Sequence, residues 1–245
     1  MLSIIDYGSY EVLKEYPPTH KKNEKESKSI TEIFGKMVKH FENHHSKNLN
    51  VMNVSLQFNI QSRRVYDFFN VFSALGVCKS QYKGSISWLS VNNIADTIKK
   101  AYYDIEVDSD NFSFQELFSF EQSPSLGALA IRFITLYFFL NVNILCIHDV
   151  ASLFLNPTSD RKSLERRLYL VLGILEIVGL VHHSQRTGEY RITLNTEEVV
   201  LEVLMLKKEN LKNYSVLSLL NTINQKYLDT IFPLRREEYL KIVQG

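Results

Sequence analysis

The sequence is poor in cysteine, glycine and proline, and each shortage argues against a class of protein. Its 245 residues include two cysteines, Cys78 and Cys146, too few for a disulfide framework, so we expect a reducing compartment. Nine glycines and five prolines favour helices joined by short loops. A hydrophobic content of 45% with 22% charged residues is typical of a folded chain rather than a disordered one.

Long apolar runs are also missing. The first fifteen residues contain no basic stretch followed by an apolar one, so we expect no signal peptide. Polar residues interrupt the most apolar window, 126–155, which predicts a packed core rather than a membrane span. We therefore expect no membrane partner.

Charge is nearly balanced overall but unevenly distributed. The net charge is +1, yet residues 27–90 carry eight basic and three acidic groups, and residues 91–122 carry two basic and seven acidic groups. A basic segment can attract a phosphate backbone even in a neutral chain. A solvated surface would show the same composition, so charge alone leaves both interpretations open.

Hydrophobic periodicity predicts three helices and a hairpin within residues 27–90. The predicted elements are a helix from Ser29, a short helix over Asn53–Phe58, a helix from about Ser62 to Leu75, and strands Val77–Lys79 and Ile86–Leu89. Ser29 and Glu32 form a candidate capping box, and Gly76 is a candidate C-cap. Three helices followed by a hairpin are the order of a winged helix.

The same order of predicted elements recurs in residues 123–194. A shift of 103 residues places Arg63-Arg64 on Arg166-Arg167, Tyr66 on Tyr169, and Gly76 on Gly179. Agreement of this kind predicts two copies of one small domain. We predict a mainly α fold with β-hairpin wings, divided into a flexible lead-in (1–26), winged-helix domain 1 (27–90), an acidic connector (91–122), winged-helix domain 2 (123–194) and C-terminal helices (195–245).

The start of each third helix carries side chains suited to DNA. Such a helix reads base edges in the major groove with its N-terminal residues, and an arginine guanidinium suits guanine. A cation at a helix N-terminus opposes the helix dipole by up to about 1 kcal/mol, so a repeated arginine pair favours use over a merely solvated terminus. The predicted DNA contacts are Arg63, Arg64, Tyr66, Asp67, Asn70, Lys79 and Lys83 in domain 1, and Arg166, Arg167 and Tyr169 in domain 2.

The segment RRVYDFFNVFSALGVCKSQYKGSISWL at 63–89 resembles the DNA-binding domain of the E2-promoter-binding-factor/DP family of winged-helix transcription factors. The positions that match the family signature are Arg63, Arg64, Tyr66, Asp67, Asn70, Val71 and Trp88. SLGALAIRFITLYF at 125–138 and ERRLYLVLGILEIVGLV at 165–181 are similar to the family's first and third helices. The resemblance implies that Arg63 and Arg64 read bases, that the chain is of the atypical tandem type, and that it acts in the nucleus.

Domain 2 departs from the family pattern. Leu170 and Gly173 stand where the family has Asp and Asn, and an exposed leucine suits protein better than a DNA groove. Domain 2 is therefore predicted either to bind DNA weakly or to bind protein. Protein partners are expected through domain 2 and the C-terminal helices.

Three functions remain open on sequence alone. The leading one is an atypical transcription regulator that binds double-stranded DNA. The second is a DNA-binding or scaffolding accessory subunit of a nuclear chromatin- or DNA-modifying enzyme complex, for example a DNA methyltransferase. The third is pure protein interaction through the winged-helix surfaces.

Catalytic, metal and cofactor sites are not predicted. His44-His45 and His182-His183 are adjacent pairs whose side chains point apart, with no ligand cluster beside them. Cys146, His148 and Asp149 lie too close in sequence for a nucleophile and its base, so we expect a buried cysteine and a capping aspartate. We expect no enzyme, no cofactor and no small-molecule substrate. Helices are predicted over 199–206 and 211–227, either packed on domain 2 or facing a partner.

Overall fold

The computed structural model describes residues 29–81, 85–155, 160–211 and 225–244. The predicted lead-in 1–26 and the predicted wing residue Lys83 lie outside these ranges. The first group of elements is α1 (Ile30–His44), α2 (Val51–Phe58), α3 (Ser62–Ala74), β1 (Cys78–Ser80) and β2 (Ile86–Trp88). The predicted three helices and hairpin are therefore all present.

Local signals in the sequence set the ends of these helices. The Ser29 side chain accepts from the backbone N–H of Glu32, which is half of the predicted capping box. Asn50 caps α2 by accepting from two backbone N–H groups, so this helix begins two residues before the predicted start. At the end of α3, Gly76 takes φ +74° and Val77 donates to the Phe72 carbonyl, a Schellman C-cap that favours glycine.

The predicted acidic connector is largely helical. A 3-10 turn (Val91–Asn93) leads into α4 (Ile94–Asp108), and α5 (Phe114–Phe118) follows with a complete capping box formed by Ser113 and Glu116. Glu106, part of the acidic run at 104–111, is fully buried. Connector residues thus contribute to the core.

The next elements follow the order of the first group with one added strand. They are α6 (Leu126–Leu140), β3 (Ile144–Cys146), α7 (Ile147–Phe154), α8 (Arg161–Ile177), β4 (Val181–His183) and β5 (Glu189–Ile192). Strand β3 is absent from the predicted elements; it pairs antiparallel with β5, which pairs with β4. In the first group the corresponding contact is a single bridge between Leu49 and Ile86. The end of α8 repeats the Schellman C-cap of α3, with Gly179 at φ +68° and Leu180 donating to Leu175.

The expected buried cysteine and capping aspartate are not found in α7. Cys146 is only partly buried, because it stands at the N-cap position where β3 ends and the helix begins. Asp149 lies in the first turn of α7 and not at its cap.

Two helices lie in the described residues of the C-terminal part. They are α9 (Thr196–Leu211) and α10 (Gln225–Gln244). The helix predicted over 199–206 is confirmed. Most of the helix predicted over 211–227 lies outside the described residues, and α10, which contains Pro233, is a helix that the periodicity does not predict.

The two similar groups of elements pack directly against each other. Helix α3 packs on α6, and α1 packs on α8, so the first helix of each group contacts the third helix of the other. Helix α6 is buried around most of its circumference, because α3, α4, α8, α9 and α10 all contact it. One continuous apolar core results. No helix among the described ranges is both long and apolar enough to span a membrane.

A buried ion pair joins the connector to the C-terminal helix. Arg235 of α10 donates from Nη1 and Nη2 to the two carboxylate oxygens of Glu106, at 2.7 and 2.8 Å, and its guanidinium lies 3.7 Å from the Phe139 ring centre. The Tyr102 hydroxyl donates to the same carboxylate. Glu106 therefore has the partners that a buried charge requires.

Candidate nucleic-acid interface

The turn between α2 and α3 fixes the start of α3. Asn59 adopts a left-handed conformation, with φ 50°, and the Ser55 hydroxyl donates to the Ile60 carbonyl at 2.6 Å. The Ser62 hydroxyl then donates to that of Ser55. The inner face of α3 is buried among aromatic rings of α1 and Trp88. Its outer N-terminal face is left to carry polar groups.

Four of the predicted DNA contacts in this part of the chain are exposed: Arg63, Tyr66, Asn70 and Lys79. Arg63 is exposed and forms no ion pair with any described residue. Tyr66 is 62% exposed, which is unusual for an aromatic side chain, and Lys79 is exposed on β1. An exposed guanidinium, a phenol and an ammonium are the groups that contact base edges and phosphates.

Arg64 differs from Arg63 although the two are adjacent. Its Nη1 donates to the Asp67 carboxylate at 2.6 Å, and both side chains are partly buried. The ion pair holds the Arg64 guanidinium against the helix surface. The pair explains why an aspartate follows the arginines by three and four positions, where their side chains meet on a helix.

Asn70 is engaged within the chain. Its side-chain oxygen accepts a hydrogen bond of 2.7 Å from the backbone N–H of Gly127, in the first turn of α6. The four N–H groups at a helix start have no partner within that helix, so Asn70 satisfies one of them from the neighbouring group of elements. Its assignment to DNA stays a prediction.

A carboxylate that the sequence analysis missed organises the base of the first wing. Glu42 of α1 accepts from the Trp88 indole N–H at 2.6 Å, from the Ser90 hydroxyl at 2.8 Å and from the Val91 backbone N–H at 3.2 Å. The signal available was a single acid at the end of an amphipathic helix, which does not reveal a partner 46 residues away. Glu42 links the wing to α1 and to the start of the connector.

The two arginines of the second pair, Arg166 and Arg167, also have different surroundings. Arg166 is exposed and forms no ion pair within the described part of the chain. Arg167 is partly buried; its Nη1 donates to the Ser123 hydroxyl at 2.9 Å and its Nη2 donates to the Pro124 carbonyl. Partial burial lowers the pKa of Arg167, and the nearby Asp67 carboxylate opposes that shift.

The rest of the α8 surface differs from the α3 surface, as the sequence of predicted domain 2 indicates. The two similar groups of elements, α1 to β2 and α6 to β5, are called the first and second modules below. Tyr169 is 39% exposed, less than Tyr66. Leu170 is only partly buried and packs against the core, and a Cβ added at Gly173 would meet no atom within 4 Å. The polar face of α3 therefore has no full counterpart on α8.

Additional basic side chains lie on the β-sheet next to α8. Arg191 of β5 pairs across the sheet with His182 of β4 and Ile144 of β3. These residues, with Arg186, line a surface depression of about 610 Å³. Arg191 is not among the residues predicted from the sequence, because strand pairing decides which residues share this surface.

The histidine pairs do not build a metal site among the described residues, where no group of three or more potential ligands occurs. His183 instead contacts the Glu176 carboxylate at 2.5 Å through Nδ1 and the Tyr190 hydroxyl at 2.6 Å through Nε2. His44 contacts the carbonyl of His40 one turn earlier. Both histidines thus have contacts within the chain.

The α1–α3 group with its hairpin therefore has the architecture of a winged helix, with its third helix exposing an arginine and a tyrosine. Residues 26–90 match the winged-helix DNA-binding domain of the E2-promoter-binding-factor/DP family. The match lies over the first group of elements and includes the segment 63–89 that carries the resemblance. A search of curated proteins gave no match to the chain.

Proposed function

We propose that this protein is a double winged-helix DNA-binding protein that regulates transcription in the nucleus in the manner of an atypical E2-promoter-binding-factor/DP protein. The observation that carries the proposal is the exposed Arg63 and Tyr66 at the start of α3, inside the segment that matches the family. A recognition helix contacts base edges with these N-terminal residues. The proposal includes no catalytic step and no cofactor.

Residues 123–194 are proposed as the second winged-helix domain. Three features support this: the repeated order of elements, the same Schellman C-cap after α3 and α8, and the reciprocal packing of α1 on α8 and α3 on α6. This packing pairs the first helix of each group with the third helix of the other, and we infer that both third helices face one duplex.

Eight of the ten predicted DNA contacts have a proposed role in DNA binding; the other two, Asn70 and Arg167, have partners within the chain. Arg63 reads a base, and Arg64, oriented by Asp67, supports it at the same groove. Tyr66 and Lys79 contact phosphates, and Lys83 extends the wing contact. Arg166 and Tyr169 make the corresponding but weaker contacts from α8, since Leu170 replaces the acid that orients Arg64.

A second candidate is an accessory subunit of a nuclear chromatin- or DNA-modifying enzyme complex. Exposed apolar side chains on α9 and α10 favour it, because the buried centres of protein interfaces are rich in apolar side chains. These side chains are Leu201, Met205, Leu206, Leu234 and Leu240, each 40–59% exposed. In this role DNA binding would be weak without the partner.

The deciding experiment is quantitative binding of the full chain to duplexes at two salt concentrations. One duplex contains a TTTSSCGC site, where S is G or C, and the other is random. Tight binding with a clear preference supports the transcription regulator. Weak binding without preference but with a steep salt dependence supports the accessory subunit.

The matched variants are Arg63→Ala and Lys100→Ala. Lys100 is exposed on α4 and lies outside the family-matched segment. If Arg63 reads a base, its loss lowers affinity for the preferred site about 5- to 150-fold, equivalent to ~1–3 kcal/mol. The control removes the same charge and should change affinity less than about 3-fold. Equal effects of both variants would contradict base reading by Arg63.

A further inference from the structure

The two arginines of the second pair look interchangeable in the sequence but have different surroundings. Arg166 points to solvent, whereas both terminal nitrogens of Arg167 have oxygen partners in the segment that precedes α6. An arginine presents its donors in a planar fork that suits two acceptors at once. The Arg167 fork is thus already occupied within the chain.

The partners of Arg167 belong to a short segment that both modules hold. Ser123 and Pro124 lead into α6, whose N-cap is Ser125, and Pro124 is buried. Three residues after Pro124, the N–H of Gly127 donates to Asn70 of α3. The segment 123–127, here called the clasp, is therefore bound by α8 on one side and by α3 on the other.

The clasp lies where the two modules approach closely. A Cβ at Gly127 would come within 2.7 Å of Ala74 and of the Asn70 carbonyl, so α3 and α6 are in backbone-close contact. Asp67 of α3 is near enough to act on the Arg167 charge, and it also holds Arg64 at 2.6 Å. The Asp67 carboxylate thus pairs directly with Arg64 and acts electrostatically on Arg167.

We propose that Arg167 is a positioning residue that fixes the geometry between the two modules through the clasp, and that Arg166 is the arginine of this pair that contacts DNA. Only the assignment of Arg166 to DNA rests on the proposed DNA-binding function. Withdrawing Arg167 to reach a base would break two hydrogen bonds at the clasp. Arg166 can reach DNA without breaking an ion pair within the described residues.

The test compares Arg166→Ala, Arg167→Ala and Arg167→Lys in the full chain. We expect Arg167→Ala to lower Tm by about 3–6 °C and to raise amide hydrogen exchange across 123–130. Arg166→Ala should leave both unchanged. Lysine keeps the charge but not the fork, so Arg167→Lys should fall between wild type and alanine. It also provides a folded variant if alanine does not fold.

DNA binding supplies the second readout. Arg166→Ala should lower affinity by a smaller factor than the loss of about 5- to 150-fold expected for Arg63→Ala, while keeping the preferred spacing within the site. Arg167→Ala should instead reduce discrimination between the TTTSSCGC duplex and one lengthened by a central base pair, because the modules are no longer held in one register. Arg167→Lys should restore part of that discrimination.

The outcomes separate this inference from the proposed function. If Arg167→Ala leaves Tm and exchange unchanged while lowering affinity as much as Arg166→Ala, Arg167 reads DNA and the inference is wrong. If the wild-type chain binds no duplex, the proposed function fails and so does the assignment of Arg166. The positioning role of Arg167 is still decided in that case by Tm and by exchange at the clasp.

Discussion

The side-chain oxygen of Asn70 lies 2.7 Å from the backbone nitrogen of Gly127 and accepts its hydrogen bond. A residue of one third helix thereby caps the first helix of the neighbouring module. The bond explains why an asparagine at this position is useful without any DNA present. It also makes the contact between α3 and α6 directional, since the acceptor must meet a helix N-terminus.

Replacing Asn70 therefore tests the module contact. Asn70→Ala leaves the buried Gly127 N–H without its acceptor, and we expect a loss of about 1–2 kcal/mol in the free energy of unfolding, measured by urea denaturation. Asn70→Asp keeps an acceptor and places a negative charge at a helix N-terminus, so it should be near wild type. Equal losses for both variants would show that the amide nitrogen matters and the cap does not.

Two of the glycines within helices, Gly127 and Gly173, provide a second test, in which alanine should change stability in opposite directions. A Cβ at Gly127 would lie 2.7 Å from Ala74 and the Asn70 carbonyl, whereas one at Gly173 would meet nothing within 4 Å. Gly127→Ala should cost about 1–3 kcal/mol through overpacking. Gly173→Ala should stabilise by about 0.5–1 kcal/mol, because alanine is the better helix former. Thermal unfolding of both variants measures the difference, and a stabilised Gly127→Ala would show that α3 and α6 are further apart.

Local signals account for the parts of the fold that the sequence predicts. The stripe that includes Val65, Phe68 and Phe72 and the C-cap at Gly76 are encoded within a few residues, so the prediction for α3 agrees with its observed end to within one residue. Helix α10 is missed because Pro233 interrupts its pattern and a proline usually ends a helix.

Contacts between distant residues account for what the sequence does not predict. The acidic run at 104–111 has the composition of a solvated segment, yet Glu106 meets Arg235, 129 residues later. The candidate site likewise has features that the sequence predicts and features that it does not. Exposure of Arg63 follows from helical spacing, whereas the engagement of Asn70 and Arg167 depends on how the modules pack, which composition and periodicity do not encode.

The pair Glu106–Arg235 should be the costliest ion pair to break. Removing the guanidinium with Arg235→Ala leaves a fully buried carboxylate without its cation, and we expect a loss of about 3–5 kcal/mol in unfolding free energy. Lys99→Ala breaks the surface pair with Glu202 and should cost less than about 1 kcal/mol. Chemical denaturation of both proteins provides the comparison. A small effect at Arg235 would mean that α10 contributes little to the stability of the rest of the chain.

The two cysteines should differ in reactivity. Burial raises the pKa of the Cys78 thiol well above its usual value, so the thiolate that reacts with alkylating agents is scarce. Cys146 is only partly buried. We expect iodoacetamide to modify Cys146 first, and Cys78 only after unfolding in denaturant, as followed by intact-protein mass. Early labelling of Cys78 would show that the first hairpin opens in the native state.

Lys79 and Arg63 should affect DNA binding in different ways, although each variant removes one positive charge. Lys79 stands on a wing strand with an exposed ammonium, which suits a phosphate, and phosphate contacts carry no sequence information directly. Lys79→Ala should weaken binding to every duplex by a similar factor and reduce the slope of log affinity against log salt by about one. Arg63→Ala should weaken the preferred site more than random DNA, because the lost contact is to a base. Binding isotherms for both duplexes over a salt series separate the two effects. A sequence-dependent loss for Lys79→Ala would place the wing at a base edge instead of the backbone.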